Sequence, residues 1–225
     1  MMHNTVGRSL YERRKSSYLN LILNVVIVVF FLVFITELIF NSFYTNIYVK
    51  GSSMEPTLNG APTYTEVLPG GDYVFVNTKV KPDYFDIVVV ETKDSFGNTY
   101  NIIKRAVAFG GDTVKIDRGQ LYIKYSGDKE FIKVNESYVT AEHNNPTDSN
   151  NTFGEYVVPD GCMFLLGDNR NVSEDSRRKG AFKMSSLLGV VPDWSIKHKK
   201  AITDFYTFFE FKLGLIRLGG KIYGD

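Results

Sequence analysis

Residues 100–125 read YNIIKRAVAFGGDTVKIDRGQLYIKY, and this stretch decides the fold class. Apolar and β-branched residues come in short runs: YNIIKRAVA (100–108), TVKI (113–116) and QLYIKY (120–125). Gly, Asp and Arg separate the runs, at spacings too short to hold a helix. Outward from it the same texture continues, in YVFV (73–76), DIVVV (86–90), FIKV (131–134), EYVVP (155–159) and CMFLL (162–166). Strands this short, joined by turn residues, predict a mainly β unit, a coiled sheet or a barrel, rather than βαβ units. Between Ala141 and Gly154 the sequence AEHNNPTDSNNTFG reads as a long polar loop, a solvated surface excursion. The segment 202–220, ITDFYTFFEFKLGLIRLGG, is read as strand, with an interfacial helix as the alternative.

The chain has 225 residues, 26 basic and 25 acidic, which leaves no net basic footprint for nucleic acid. A single cysteine, Cys162, excludes an intramolecular disulfide framework. The three histidines, His3, His143 and His198, show no metal-ligand spacing. No metal, cofactor or nucleic-acid partner is expected.

Charge is distributed unevenly. Arg8, Arg13, Arg14 and Lys15 face only Glu12 among the first 18 residues. From Ser16 to Thr36 the chain then carries no charge, SSYLNLILNVVIVVFFLVFIT. As a helix this run reaches about 30 Å, the thickness of a bilayer core. It is longer than the apolar region of a cleaved leader and ends in ELIFNSFY, which has no small-residue cleavage site. The expected organisation is a cytoplasmic segment 1–18, a transmembrane helix 19–41 and an extracytoplasmic domain 42–225. Its orientation follows from the basic flank on the N-terminal side. The bilayer is therefore an expected partner.

Three segments set polar residues in apolar or glycine-rich surroundings. In YVKGSSMEPTLNG (48–60), Ser53 lies just past a short apolar strand, and Pro56 stops the strand from continuing. A serine at such a turn can present its hydroxyl beside its own N–H, giving a nucleophile and an oxyanion donor. A plain Ser-rich turn fits the segment equally well. In NIIKRAVAFGGDTV (101–114), strand alternation puts Lys104 on one face with Ile102 and Ala106, and Arg105 on the other with Ile103 and Val107. Desolvation among such neighbours favours a neutral amine, which could act as a general base. A snorkelling lysine is the plainer reading. LLGDNRNVSEDSRRKG (165–180) crowds charges of both signs around Ser173 and Ser176, as a solvated loop or a salt-bridged scaffold.

Taken together, SMEPTL (53–58), IKRAVAFGGD (103–112) and GDNRNVSEDSR (167–177) resemble the boxes of the bacterial type I signal peptidases, membrane-anchored Ser/Lys proteases. GGDYVFV (70–76) and FDIVVV (85–90) resemble two further boxes of that family. The resemblance implies that Ser53 is the acylating nucleophile, with its N–H as oxyanion donor, and Lys104 the general base. It implies that Ser173 orients the lysine, and that Asp175 with Arg177, and Arg105 with Asp168, form structural ion pairs. Val49, Met54, Leu58, Ile102 and Ile103 fall where that family builds shallow pockets for small residues. Substrates would be preproteins bearing signal peptides with Ala-x-Ala-like sites, added as a strand along the site and cut at the outer face of the membrane. The implied fold is a mainly β core of coiled antiparallel sheets, with a small β subdomain at about 115–160 inserted between the lysine strand and the GDNR loop.

The chain departs from the family pattern in three places. Gly51 stands two residues before the nucleophile, where some members carry a hydroxyl residue, so no side-chain oxyanion donor comes from there. The pattern Gly-x-Pro-Gly-Asp reads Ala108-Phe109-Gly110-Gly111-Asp112. The link NGAPTYTEVLPG (59–70) after Leu58 is longer than in many members. Three further readings stand beside the leading one: a signal peptidase dedicated to a narrow substrate set such as pilins, a self-cleaving repressor of related fold, and a catalytically silent anchored scaffold. The absence of a DNA-binding module argues against the repressor.

Overall fold

The computed structural model describes residues 3–62, 70–209 and 220–223. The middle of the link after Leu58 (63–69) and part of the C-terminal segment (210–219) lie outside the described residues. The chain divides into two compact units, Met1–Phe43 and Tyr44–Asp225.

The first unit is one helix, α1 (His3–Phe43). From Ser17 to Phe43 it is long and apolar enough to cross a membrane, and none of that span is buried within the protein. Its few polar groups near the C-terminal end bond within the helix. Thr36 Oγ1 donates to the Leu32 carbonyl at 2.8 Å, and Asn41 Nδ2 to Glu37 Oε1 at 3.3 Å.

The second unit is mainly β. Its strands are β1 (Tyr44–Lys50), β2 (Tyr73–Asn77), β3 (Ile87–Lys93), β4 (Thr99–Phe109), β5 (Thr113–Asp117) and β6 (Gln120–Lys124), then β7 (Ile132–Lys133), β8 (Phe153–Val157), β9 (Cys162–Leu166), β10 (Phe182–Lys183), β11 (Leu187–Val191) and β12 (Gly220–Tyr223). Eight form one sheet, in the order β10-β9-β4-β3-β11-β2-β1-β12. The other four form a second sheet, β7-β6-β5-β8. All the pairings are antiparallel except β1 with β12. Among the described residues this unit also has a helical turn, α2 (Ser176–Lys179), and two short helices, α3 (Asp193–Lys197) and α4 (Lys199–Thr207).

β4 is the longest strand among the described residues and runs buried from Ile102 to Ala108. It pairs residue for residue with β3, placing Lys104 opposite Val88 and Arg105 opposite Ile87. Its pleat feeds different parts of the core. Ile103 packs with Val49, Met54 and Leu58, whereas Ile102 and Ala106 pack with Val88, Val90 and Met163. The second sheet starts from the β5–β6 hairpin, whose loop residues Arg118 and Gly119 have φ of 46° and 80°. A two-residue turn of the hairpin-favouring type needs positive φ at both positions. Asp112 ties this sheet to β4. Its carboxylate accepts N–H bonds from Phe109 (2.8 Å) and Ser126 (2.9 Å) and the Tyr84 hydroxyl (2.9 Å). Burial, reinforced by Asp112, raises the Tyr84 phenol above its ordinary value.

Two local readings are corrected. Residues 202–207 are helical rather than strand, because α4 turns a polar-aromatic face onto β2. The Tyr73 N–H bonds Thr203 Oγ1 at 2.8 Å, and the Tyr73 and Tyr206 rings stack at 5.1 Å. Positions three apart meet a neighbour on a helix and alternate faces on a strand. Within the segment only Gly220 is found as strand among the described residues. The polar loop after Ala141 is not merely a solvated excursion. It contains two 3-10 turns, buries Asn151, and is fastened by asparagine side chains described below.

Candidate active site

The serine-bearing turn follows β1. Gly51 has φ +77°, a left-handed conformation that a side chain would strain. The turn then closes on itself, with the Glu55 N–H bonding the Ser52 carbonyl at 3.1 Å and the Leu58 N–H bonding that of Met54 at 2.9 Å. Ser53 is 1% exposed and Lys104, from the centre of β4, is wholly buried. Their functional atoms meet: Lys104 Nζ donates to Ser53 Oγ at 2.7 Å. A hydroxyl bonded to an amine with no access to water is a pair that can exchange a proton.

The GDNR loop closes over this pair. The Asn169 N–H donates to the Ser53 carbonyl at 3.0 Å. Asp168 binds Arg105 through two bonds, Nε–Oδ1 at 2.8 Å and Nη2–Oδ2 at 2.6 Å, and also accepts Thr57 Oγ1 at 2.5 Å. Both the serine turn and the lysine strand are thus pinned to one carboxylate. Asp175 binds Arg177 in the same two-pronged way, at 2.8 and 2.9 Å, and accepts the Gly167 N–H at 3.0 Å. Burial alone would push the Asp175 carboxyl up. Arg177, and then the Gly167 N–H, outweigh that and hold it below the ordinary value.

Ser173 is buried beside the pair, but its Oγ makes no hydrogen bond, to Lys104 or to any other described residue. Val49, Met54, Leu58, Ile102 and Ile103 are each at most 1% exposed. The first three pack with Ile103 around the serine turn, and Ile102 packs in a separate cluster. Among the described residues, no three His, Cys, Asp or Glu side chains are grouped to hold a metal ion.

The family model for signal peptidases, peptidase S26, matches residues 19–194. The chain belongs to this family. Signal peptidase I of Streptococcus pneumoniae serotype 4 is 34% identical over 175 residues, covering 65% of this chain and 79% of that protein. Signal peptidase I of Bacillus amyloliquefaciens is 32% identical over 187 residues, covering 79% and 90%. A crystal structure of a signal peptidase I from Enterococcus faecalis aligns with 50% of this chain and 98% of its own, at 30% identity and a TM-score of 0.40. Membership makes the chain a serine peptidase.

In this family member, residues beyond those singled out from the sequence also support the site. Arg170, 1% exposed, bonds the Gly167 carbonyl through Nε at 3.0 Å and forms a two-pronged ion pair with Glu136. Burial opposes the Arg170 charge, and Glu136 more than offsets it, so its pKa is raised. Glu136 also accepts the Tyr138 hydroxyl at 2.7 Å, and the Tyr138 ring lies 3.8 Å from the Arg105 guanidinium. This chain of contacts runs from the GDNR loop, through the segment after β7, back to Asp168. Desolvation and then Glu136 raise the Tyr138 phenol. Asn171 fastens the polar loop. Its Oδ1 accepts the Asn145 N–H (2.7 Å) and Asn151 Nδ2 (3.0 Å), and its Nδ2 donates to the Glu142 carbonyl (2.9 Å). From the same loop, His143 Nε2 lies 3.9 Å from Glu55 Oε2 on the serine turn. Arg170 and Asn171 stand inside the GDNR box, where charge density was the available signal. Glu136, Tyr138 and His143 become neighbours only through the tertiary fold, and no local pattern marks them.

Proposed function

We propose that this chain is an active type I signal peptidase in which Ser53 is the nucleophile and Lys104 the general base. The observation that carries the reading is the buried 2.7 Å bond between Lys104 Nζ and Ser53 Oγ. An ammonium loses more than a neutral amine when water is removed, so this setting favours the form able to take a proton. Ser53 Oγ attacks the scissile carbonyl and passes its proton to Lys104 Nζ. The Ser53 N–H stabilises the oxyanion. As the tetrahedral intermediate collapses, Lys104 returns the proton to the departing amine, the new N-terminus of the mature protein. Lys104 then takes a proton from water, whose oxygen attacks the acyl carbon; as the bond to Ser53 Oγ breaks, Lys104 returns the proton to that oxygen and the signal peptide leaves as its carboxylic acid.

The substrate strand carries small residues at P1 and P3. Val49, Met54, Leu58 and Ile103, packed around the serine turn, form the floor of the pockets that receive them. Ser173, beside the pair, orients Lys104 during the reaction, and the two carboxylate–arginine pairs keep the loop rigid. The apolar helix anchors the enzyme in the membrane that holds its substrate. The basic flank sets the N-terminus in the cytoplasm and the catalytic unit outside.

Ser53→Ala and Lys104→Arg test the assignment. Each is expected to lower kcat/KM for a preprotein by on the order of 10⁴-fold while the domain stays folded. The arginine variant fails because a guanidinium stays protonated and cannot act as a base. Wild-type-like turnover in Ser53→Ala would remove the serine from its role. The same result in Lys104→Arg would place the base elsewhere.

A further inference from the structure

α4 begins with Lys199, and this side chain reaches the serine turn from 142 residues away in sequence. Lys199 Nζ donates to the Thr57 carbonyl at 2.8 Å and to Asp72 Oδ2 at 2.8 Å. Asp72 Oδ2 in turn accepts the Asn59 N–H at 2.8 Å. The segment Thr57–Asn59 is therefore clasped by an ion pair, while Thr57 Oγ1 binds Asp168 on the other side. The upstream end of the same turn is held by the bond between the Ser53 carbonyl and the Asn169 N–H. Without Lys199 the Thr57 carbonyl loses a donor where a backbone acceptor needs one. Asp72, a mostly buried carboxylate, also loses its cation.

The reach of Lys199 is preset. α4 is fixed to β2 by the Thr203 bond to the Tyr73 N–H and by the stacking of Tyr206 on Tyr73. Lys199, Thr203 and Tyr206 recur at helical spacing and so share the inward face. Three donors on a compact ammonium suit a carbonyl and a carboxylate at once.

We propose that Lys199 is a positioning residue for the reaction, holding the serine turn so that Ser53 Oγ stays on Lys104 Nζ. This inference rests on the reading of Ser53 as nucleophile. It assigns a role to the C-terminal helix, which lies beyond the family-matched residues 19–194.

The test compares the full-length wild type, Lys199→Met, Lys199→Arg and Ser53→Ala in detergent, with a preprotein bearing an Ala-x-Ala site. Ile123→Val, a core change in the second sheet, serves as a stability control. Rates are taken well below every unfolding midpoint, as kcat, KM and the acid limb of the pH–rate profile. Lys199→Met is expected to lose about tenfold in kcat, the effect of one charge-assisted hydrogen bond, with KM within about twofold. Its acid limb moves, because the contact between Ser53 and Lys104 is altered. Lys199→Arg recovers most of the rate, and Ile123→Val keeps the wild-type kcat and limb. Should Lys199→Met fail to fold, Lys199→Gln, which keeps a donor without the charge, carries the same expectation. Wild-type kcat and acid limb in Lys199→Met, or a loss that Ile123→Val shares, would overturn the proposal. Turnover in Ser53→Ala would instead sink the nucleophile reading, so the two failures are distinguishable.

Discussion

A Cβ on Gly167 would lie 2.2 Å from Ser173 Oγ and 2.6 Å from the Ser53 carbonyl, closer than atoms can approach. Glycine here is a steric requirement of the closed site. Gly167→Ala is expected to cost about 1–3 kcal/mol of stability, as overpacking does, and to cut turnover more than stability accounts for. Denaturant titration and kcat measured on the same sample check this; unchanged kcat would mean that the site tolerates the shift. Asp175 supplies a second prediction. Its folded carboxyl sits below the ordinary 3.8, so the charged form is the one that stabilises the fold. That contribution is complete above the ordinary carboxylate range and is lost as pH falls through the depressed folded value. Asp175→Asn, which leaves Arg177 without its charge partner, should lose about 3–5 kcal/mol at neutral pH. It should also show a flatter acid-unfolding profile below pH ~4. A parallel profile in wild type and variant would contradict this. At this scale the sequence reading singled out Ser53, Lys104 and both carboxylate–arginine pairs, because their boxes are local strings, and the structure brings the partners of each pair into contact. Gly167, Thr57 and Glu136 were not legible as site residues, since each acts through a neighbour that only folding supplies.

Among the elements, the loop after Ala141 changes most from its sequence reading. Its composition signals solvation, yet Asn171 converts three of its polar groups into bonds to the GDNR loop, and Arg177 adds bonds to the Asn150 carbonyl and Asn151 Oδ1. Asparagine-rich stretches carry both donors and acceptors, so the same composition serves a free loop or a clasp. Asn171→Ala should therefore raise amide exchange across residues 140–151 while leaving β4 and β9 protected. Unchanged exchange there would mean that the loop holds itself. α4 was misread for a related reason: aromatic residues are common in strands, and only its contacts with Tyr73 and Asp72 reveal the helical period. β11, LLGVV, pairs with β3 and contacts β2, although Gly189 interrupts its apolar run. Gly189 is needed there, since a Cβ would lie 2.5 Å from the Asn77 carbonyl.

For the whole molecule, the sequence reading reached a mainly β unit and one apolar N-terminal helix, and the structure has both. The order of strands was not readable, because pairing β4 with β9 across the intervening second sheet is a long-range choice that no local run encodes. The proposed orientation has its own check. Cys162 is the sole cysteine, so Ser95→Cys on a Cys162→Ser background places one thiol on an exposed loop. A membrane-impermeant maleimide should label it in intact cells; labelling only after permeabilisation would reverse the topology. The central claim is that a buried Ser53–Lys104 pair cuts signal peptides. It is met most directly by incubating a preprotein bearing an Ala-x-Ala site with wild type and Lys104→Ala in detergent, and sequencing the N-terminus of any product. The expected result is cleavage after the second alanine by the wild type and none by the variant. Equal cleavage by both, or no cleavage by the wild type, would contradict the claim.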